Sequence, residues 1–364
     1  LGLDCFFCLD FSREFHFFRF CGMIDGNMNI VKFISVAAMI FVHAHMMLVT
    51  NDNYGFDDTP SFFYKITDKF MFLGLFLTIL PMLAGYVFRI SKDYEFKKTI
   101  KIAIFLLFVG FFMNLAIWGI KYVFSWNILQ FVGLSFVVTA FLMSYFSERV
   151  IFLLSSAAIL MAPLLRNFLT NISDSYFIDI FIGNINHFIF WPFFPWFGVV
   201  GFGFLFAHYQ LKRGNDFKFK TISLLLGIAF LVFAVATNVI SPPINNNNVW
   251  SPDIFQPKTG FVLATIGLFL ALSVLGTFFW KKTNFKKYGI INSYSKGILW
   301  IYVSMMLANG VFHYAMRDRL PLNDPASIYF IWMIFIFAFS WAVGALSIKF
   351  LDEKKLIVYL KKIR

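Results

Sequence analysis

Three ionisable side chains lie in or beside the first long apolar stretch of the chain: Lys32, His43 and His45. A stretch of this kind is typical of a membrane span, and ionisable residues inside spans usually belong to functional sites. A histidine there can act as a general base, carry an acyl group or relay a proton, because its unperturbed pKa of ~6.5 leaves it mostly neutral at pH 7. The structural alternative for His43 is a neutral imidazole that only hydrogen-bonds another helix.

Helix periodicity places the two histidines on different faces. Lys32 and His43 are eleven residues apart, about three full turns, so both belong to one stripe and lie ~16 Å apart along the helix axis. The other members of this stripe are Val36, Met39 and, at its edge, Ser35. His45 lies ~200° around the helix from His43. If the Lys32 stripe faces the bundle interior, His43 is the buried histidine, and we predict that His43, and not His45, is the catalytic group.

The composition identifies the elements that must position these groups. With 60% hydrophobic and only 14% charged residues, the 364-residue chain does not resemble a soluble enzyme, a disordered protein, a coiled coil or a nucleic-acid-binding module. The sequence predicts an all-α polytopic membrane bundle in a single domain, residues 23–364, with about ten transmembrane helices. The apolar stretches cover approximately residues 29–49, 68–90, 101–120, 127–146, 150–168, 188–208, 221–240, 259–280, 292–311 and 327–349.

Basic residues are distributed unevenly between the two sides of these spans. The connections after even-numbered spans and the C-terminal tail carry nineteen Lys and Arg residues, whereas the connections after odd-numbered spans carry seven. The positive-inside rule then places both termini in the cytoplasm of a multi-pass protein, and we expect a bacterial inner (plasma) membrane. This topology accounts for the formal charge of +12 without a nucleic-acid partner.

The first 22 residues are treated as an N-terminal extension that could precede the native start, since Leu1 begins the chain and Met23 stands near the first apolar stretch. All three cysteines lie in this extension, together with His16. Their spacing lacks the paired pattern that makes zinc motifs specific, so we predict no metal site.

The first stretch, NIVKFISVAAMIFVHAHM, resembles the Arg/Lys-x10-His signature of the acyltransferase-3 family. Further similar segments follow between about Met28 and Asn309: LPMLAGYVFRI, then Lys98-x2-Lys101, then INSYSKGILWIYVSMM. Members of that family are integral membrane enzymes that move acyl groups onto extracytoplasmic carbohydrates. This chain departs from the family pattern at Ala84 and Ser304, where serine and histidine are usual, and in having lysines in place of arginines.

The middle of the chain also resembles the heparan-alpha-glucosaminide N-acetyltransferase group. The similar segments are KIAIFLLFVGFFMNL, WNILQFVGLSFVV with its Leu-Gln pair, and FFPWFGVVGFGFLF with its Pro-Trp pair. Both resemblances imply transfer of an acyl group, acetyl above all, from cytoplasmic acyl-CoA to a hydroxyl or amine of an extracytoplasmic glycan such as a cell-envelope polysaccharide. We expect the O-acetyltransferase type, with acyl-CoA as a substrate and no permanently bound cofactor.

Candidate binding residues follow from the charges that each substrate needs. The phosphates of acyl-CoA require cations, and we predict donor binding by Lys32, Arg89, Lys98 and Lys101. Snorkelling of Lys32 to the cytoplasmic interface is an alternative that the sequence leaves open. The carbohydrate acceptor requires hydrogen-bonding groups on the outer side, and the loop after the first span offers Asp52, Asp57 and Asp58.

Several other polar and aromatic residues have structural interpretations. We expect Asn114 and Gln130 to form interhelical hydrogen bonds, and we assign no function to His208 at the end of a span. Aromatic residues around Trp191 and Trp196 are interpreted mainly as an interfacial belt.

Two alternatives to an enzyme remain. One is a transporter or channel that uses Lys32 and His43 as a proton or anion path. The other is a family member that has lost catalysis and acts as a sensor or scaffold, which the departures at Ala84 and Ser304 would fit.

Overall fold

The computed structural model describes the helical parts of the chain and some of the turns between them. The described residues are 26–49, 74–91, 96–170, 175–183, 189, 191–214, 216–236, 257–282, 289–317, 330–347 and 349. Their helices, in chain order, are α1 (Gly26–Val49), α2 (Gly74–Leu77), α3 (Leu80–Ile90), α4 (Phe96–Trp118), α5 (Ile128–Tyr145), α6 (Glu148–Thr170), α7 (Tyr176–Ile182), α8 (Phe193–Arg213), α9 (Phe217–Ala236), α10 (Thr259–Lys282), α11 (Gly289–Lys296), α12 (Ile298–Arg317) and α13 (Phe330–Ser347).

Ten helical segments correspond to the ten predicted apolar stretches. In the part of the chain that the structure describes, six helices are long and apolar enough to cross a membrane: α4, α5, α6, α9, α10 and α13. Three shorter apolar segments, Met28–Ala44, Gly74–Ile90 and Ile298–Phe312, and α8 complete the set. The predicted polytopic helical membrane bundle is therefore confirmed, whereas the cytoplasmic placement of both termini stays a prediction.

The second of these segments is interrupted, in contrast to the continuous span that we predicted. α2 ends at Leu77 and α3 begins at Leu80, with Pro81 in its first turn, where a missing N–H costs no helical hydrogen bond. The Thr78 hydroxyl in the break lies 2.7 Å from the Leu75 carbonyl and 2.8 Å from the Thr265 hydroxyl. These contacts satisfy the polar groups of the break and join it to α10.

Burial separates central helices from peripheral ones. α1 packs against α2, α10, α11 and α12, and its side chains at Val31, Val36 and Ile40 have no exposed surface. In the most apolar 18 residues of α9, by contrast, only 17% of the residues are buried, and Leu225 and Val235 are exposed. Such large apolar surfaces are stable in lipid and costly in water, so α9 faces the bilayer.

Two glycines bring α3 and α8 into backbone contact. A Cβ atom on Gly85 would overlap the carbonyl oxygen of Val200, and one on Gly203 would overlap the carbonyl oxygen of Met82. Small residues commonly line such interfaces because lipid offers no hydrophobic driving force for helix association and van der Waals contact must supply it. Within the segment Ala84-Gly85-Tyr86 of α3, Gly85 therefore has a packing role.

Replacing Gly85 with alanine is expected to lower the melting temperature of the purified protein. The added methyl group forces α3 or α8 to shift, and overpacking of this kind costs ~1–3 kcal/mol. Gly74→Ala is the matched control, because a Cβ there meets nothing within 4 Å. Thermal unfolding of both variants in detergent measures the difference, and equal melting temperatures would show that the α3–α8 contact is looser than the structure has it.

Candidate functional site

The stripe that helix periodicity predicts on α1 is buried in the bundle. Lys32, Ser35 and Val36 have no exposed surface, Met39 has 1%, and His43 is partly buried. The backbone of His45 belongs to α1, but its side chain lies outside the described part of the chain. The choice of His43 over His45 therefore stays a prediction, and the burial of the stripe supports it.

One hydrogen bond fixes the protonation of the neutral His43 ring. Its Nδ1 lies 2.8 Å from the Met39 carbonyl oxygen, one helical turn earlier. A carbonyl oxygen only accepts hydrogen bonds, so Nδ1 carries the proton and donates it. In the neutral ring the lone pair is then on Nε2. Nε2 is the atom that can act as a base or a nucleophile.

Tyr302 of α12 forms one wall of this site. The His43 and Tyr302 ring centroids are 6.0 Å apart and the rings meet edge to face, at 79°. Tyr302 is itself buried, with 7% of its surface exposed. Our sequence analysis included this tyrosine in the segment INSYSKGILWIYVSMM but did not single it out. Its neighbour Ser304, a departure from the family pattern, donates its hydroxyl to the Ile301 carbonyl of its own helix.

The cytoplasmic end of α1, in the predicted topology, is held by α11. The Ser295 hydroxyl donates to the Asn29 side-chain oxygen at 2.6 Å, and Phe33 packs edge to face on Tyr294. In the sequence, Lys32 lies between Asn29 and Phe33, the α1 residues of these two contacts. Its side chain is among the largest that are fully buried. Snorkelling to an exposed interface is therefore not the arrangement that the structure shows for Lys32.

Arg89 lies in a polar cluster between α3 and α8. Its Nε and Nη2 groups are 3.4 and 3.3 Å from Nδ1 of His208, and its guanidinium carbon is 5.8 Å from the centre of the Phe204 ring. One turn earlier, the Tyr86 hydroxyl donates to the Gln210 side-chain oxygen at 2.9 Å. Because Gly85 brings the two helices together, side chains 119 positions apart in the sequence form one site.

The other predicted donor-binding lysines have different surroundings. Lys98 and Lys101 are exposed on the first turns of α4. Of the four predicted cations, Lys32 is thus buried on α1, Arg89 belongs to the cluster with His208, and two lie at the surface. Sequence reasoning missed His208 and Gln210, since a span-end histidine carries no signal that it faces an arginine on another helix.

Two of the segments that resemble the N-acetyltransferase group, KIAIFLLFVGFFMNL and WNILQFVGLSFVV, have structural roles at the predicted outer end of the bundle. Asn127 and Gln130 form a capping box at the start of α5: the Asn127 side chain accepts from Leu129 N–H at 2.9 Å, and Gln130 accepts from Asn127 N–H at 3.1 Å. Asn127 also donates to the Asn114 side-chain oxygen at 2.9 Å. The interhelical prediction is wrong for Gln130, which hydrogen-bonds the backbone just before its own helix. For Asn114 it holds only through Asn127, the cap of α5, because its two other hydrogen bonds go to the Val123 and Ser125 carbonyls of the turn before that helix.

The aromatic segment before α8 is core and not mainly an interfacial belt, which corrects our interpretation. Trp191 and Trp196 are buried, with ring centroids 4.9 Å apart. The Trp126 side-chain N–H donates to the Trp191 carbonyl at 3.0 Å, so the Leu-Gln and Pro-Trp segments are joined.

The predicted acceptor residues Asp52, Asp57 and Asp58 lie outside the described residues, as do residues 1–22 with the three cysteines. The contacts of these carboxylates and the role of the extension therefore stay predictions. Among the described residues, no group of three or more His, Cys, Asp or Glu side chains could hold a metal ion.

Comparison with known proteins connects this site to a family. The family model described as "Heparan-alpha-glucosaminide N-acetyltransferase, catalytic" matches residues 26–241, which include His43, Arg89 and His208, whereas Tyr302 lies beyond the match. The comparisons with curated proteins and with solved structures each found no match. The acyltransferase-3 resemblance stays a prediction. The match covers 216 of the 364 residues, which is more than half of the chain. The chain therefore belongs to the heparan-alpha-glucosaminide N-acetyltransferase catalytic family and is a membrane acetyltransferase.

Proposed function

We propose that this protein transfers an acetyl group from cytoplasmic acetyl-CoA to a carbohydrate on the other side of the membrane, with His43 as the catalytic residue. The observation that carries the proposal is the hydrogen bond from His43 Nδ1 to the Met39 carbonyl, inside the segment that matches the acetyltransferase family. It leaves an unprotonated Nε2 on a buried helix face, as acyl transfer requires.

Two reaction courses start from this atom. In direct transfer, Nε2 takes the proton of the acceptor hydroxyl or amine as that group attacks the thioester carbon; the C–S bond breaks, and the proton passes to the departing thiolate. In the covalent course, Nε2 itself attacks the thioester carbon, and the C–S bond breaks to release coenzyme A as a thiolate. The acceptor then attacks the acetyl carbon, the Nε2–C bond breaks, and the acceptor's proton passes to Nε2 and on to the thiolate. The Nδ1–Met39 hydrogen bond orients the ring in both.

The donor is proposed to bind at the cluster around Arg89. The forked guanidinium suits phosphate oxygens, and Phe204 and His208 hold it in place. Lys32 belongs to the His43 face, and its full burial favours a role with the anionic donor over snorkelling. The acceptor is proposed to contact the loop with Asp52, Asp57 and Asp58.

The acceptor atom decides between amide and ester formation. The family description names an N-acetyltransferase, whereas the acyltransferase-3 resemblance favours a hydroxyl. We test this with purified full-length protein, acetyl-labelled acetyl-CoA and two acceptors, glucosamine and N-acetylglucosamine. An alkali-stable product on glucosamine alone indicates N-acetylation, and an alkali-labile product on either sugar indicates O-acetylation. Absence of acetyl transfer to any carbohydrate, with acetyl-CoA bound, would contradict the proposed function.

Charge reversal at Lys98 and Lys101 together is expected to weaken coenzyme A binding by a few-fold and to make the remaining affinity less dependent on salt. Both lysines are exposed, so their attraction for phosphate acts through solvent and is screened. Titrations of coenzyme A at several salt concentrations measure this effect. Unchanged affinity across the series would leave the two lysines with a topological role only.

A further inference from the structure

We infer that His208 is a positioning residue that holds Arg89 for the phosphates of the donor, so that donor binding weakens when the side chain at this position cannot accept a hydrogen bond. This inference rests on the proposed function, because it takes an acyl-CoA as the ligand of Arg89. It adds a residue to which sequence reasoning gave no function.

The hydrogen bonds define the protonation that the pair requires. Both Arg89 groups that approach His208 are donors, and both approach the same atom, Nδ1. Nδ1 must therefore accept, which only an unprotonated ring nitrogen can do, and the ring proton is then on Nε2. His43 has the opposite arrangement, with its proton on Nδ1. An imidazolium ring at His208 has no lone pair and cannot hold the guanidinium.

The guanidinium is fixed on more than one side. Phe204 lies under it at 5.8 Å, the distance of a cation–π contact, while His208 fixes its edge. A guanidinium carries its N–H donors in a rigid fork that matches phosphate oxygens, so its orientation decides how well it binds a phosphate. Fixing it in advance reduces the side-chain freedom that donor binding would otherwise have to remove.

Protonation of His208 has two opposite effects on donor binding. It removes the hydrogen bonds to Arg89, but it also adds a positive charge that attracts the phosphates of the donor. The role of His208 as a hydrogen-bond acceptor is therefore tested at pH 8, at the alkaline end of the range of ~5–8 in which histidine titrates.

The test measures coenzyme A binding to the full-length protein in detergent at pH 8. The matched variants are His208→Gln, whose side-chain oxygen accepts a hydrogen bond but does not titrate, and His208→Leu, which cannot accept one. Dephospho-coenzyme A, which lacks the 3′-phosphate, serves as a second probe.

At pH 8 we expect wild type and His208→Gln to bind alike, and His208→Leu to bind about tenfold more weakly, the effect of losing one oriented charged hydrogen bond. In turnover assays the leucine variant should raise KM for acetyl-CoA and leave kcat nearly unchanged. With a purely structural role, the melting temperature would fall and His208→Gln would bind coenzyme A no better than His208→Leu.

Two results would overturn the inference while the proposed function stands: wild-type affinity in His208→Leu, or the same loss of affinity in His208→Gln and His208→Leu. Failure of the wild type to bind coenzyme A would overturn the proposed function as well. The two kinds of failure are thus distinguishable in one set of titrations.

Discussion

Replacing His43 with alanine lowers acetyl transfer by ~10²–10⁴-fold or more, the expected cost of losing a general base or an acyl carrier. The effect is on chemistry, because the variant keeps the apolar residues of α1 that pack against α10 and α12. We therefore expect normal membrane insertion and coenzyme A binding together with a collapsed kcat. Single-turnover measurements in reconstituted vesicles, with acetyl-CoA on one side and the carbohydrate acceptor on the other, measure this rate.

His45→Ala is the matched control for this variant. It removes an imidazole from the same helix, two residues later and ~200° around it, and should keep most of the activity. If His43→Ala transferred acetyl groups at the wild-type rate, the catalytic assignment would be wrong and the transporter alternative would regain support. Equal losses in the two variants would point to a general disturbance of α1.

Replacing Lys32 with methionine is expected to lower kcat/KM for acetyl-CoA by ~10–100-fold. Methionine has a similar length and suits an apolar site, so the main loss is the charge and its hydrogen bonds, which contribute ~1.5–3 kcal/mol when a charged group is involved. Lys32 has no exposed surface, and little solvent is present to screen its interaction with an anionic donor. Initial rates over a range of acetyl-CoA concentrations give the value.

Two further variants interpret the Lys32 result. Lys258→Met removes an exposed lysine just before α10, on the predicted outer side, and should leave kcat/KM unchanged. Lys32→Arg keeps the charge in a larger group and should restore part of the activity. Wild-type kcat/KM in Lys32→Met would mean that the buried lysine serves the packing of α1 alone.

Much of the fold was predictable because the bilayer sets the length of each span. Ten apolar stretches cut at polar clusters correspond to ten helical segments, and the helical period correctly placed Lys32, Val36 and Met39 on a buried face. The break between Leu77 and Leu80 was missed, since its polar groups are satisfied by Thr265 on a distant helix. Hydropathy contains no information about such partners.

The candidate site was predictable only where it lies on one helix. His43 and the atom that fixes its ring, the Met39 carbonyl, are four residues apart, so local geometry connects them. Arg89 and His208 are 119 residues apart, and they meet only because α3 and α8 are in contact. That contact depends on Gly85 and Gly203, where a larger side chain would not fit. The capping box of Asn127 and Gln130 has a local signature, Asn-x-x-Gln, that our interpretation overlooked.

The backbone contact of α3 with α8 also limits how this enzyme can move. Where Gly85 meets the Val200 carbonyl, neither helix can slide past the other without a collision, so the two act as one rigid body. Arg89 and His208 both lie on these two helices, so we expect the proposed donor site to keep its shape while other helices move. The proposed transfer from one side of the membrane to the other then depends on movement elsewhere, and the contact between His43 and Tyr302 joins two of those other helices, α1 and α12.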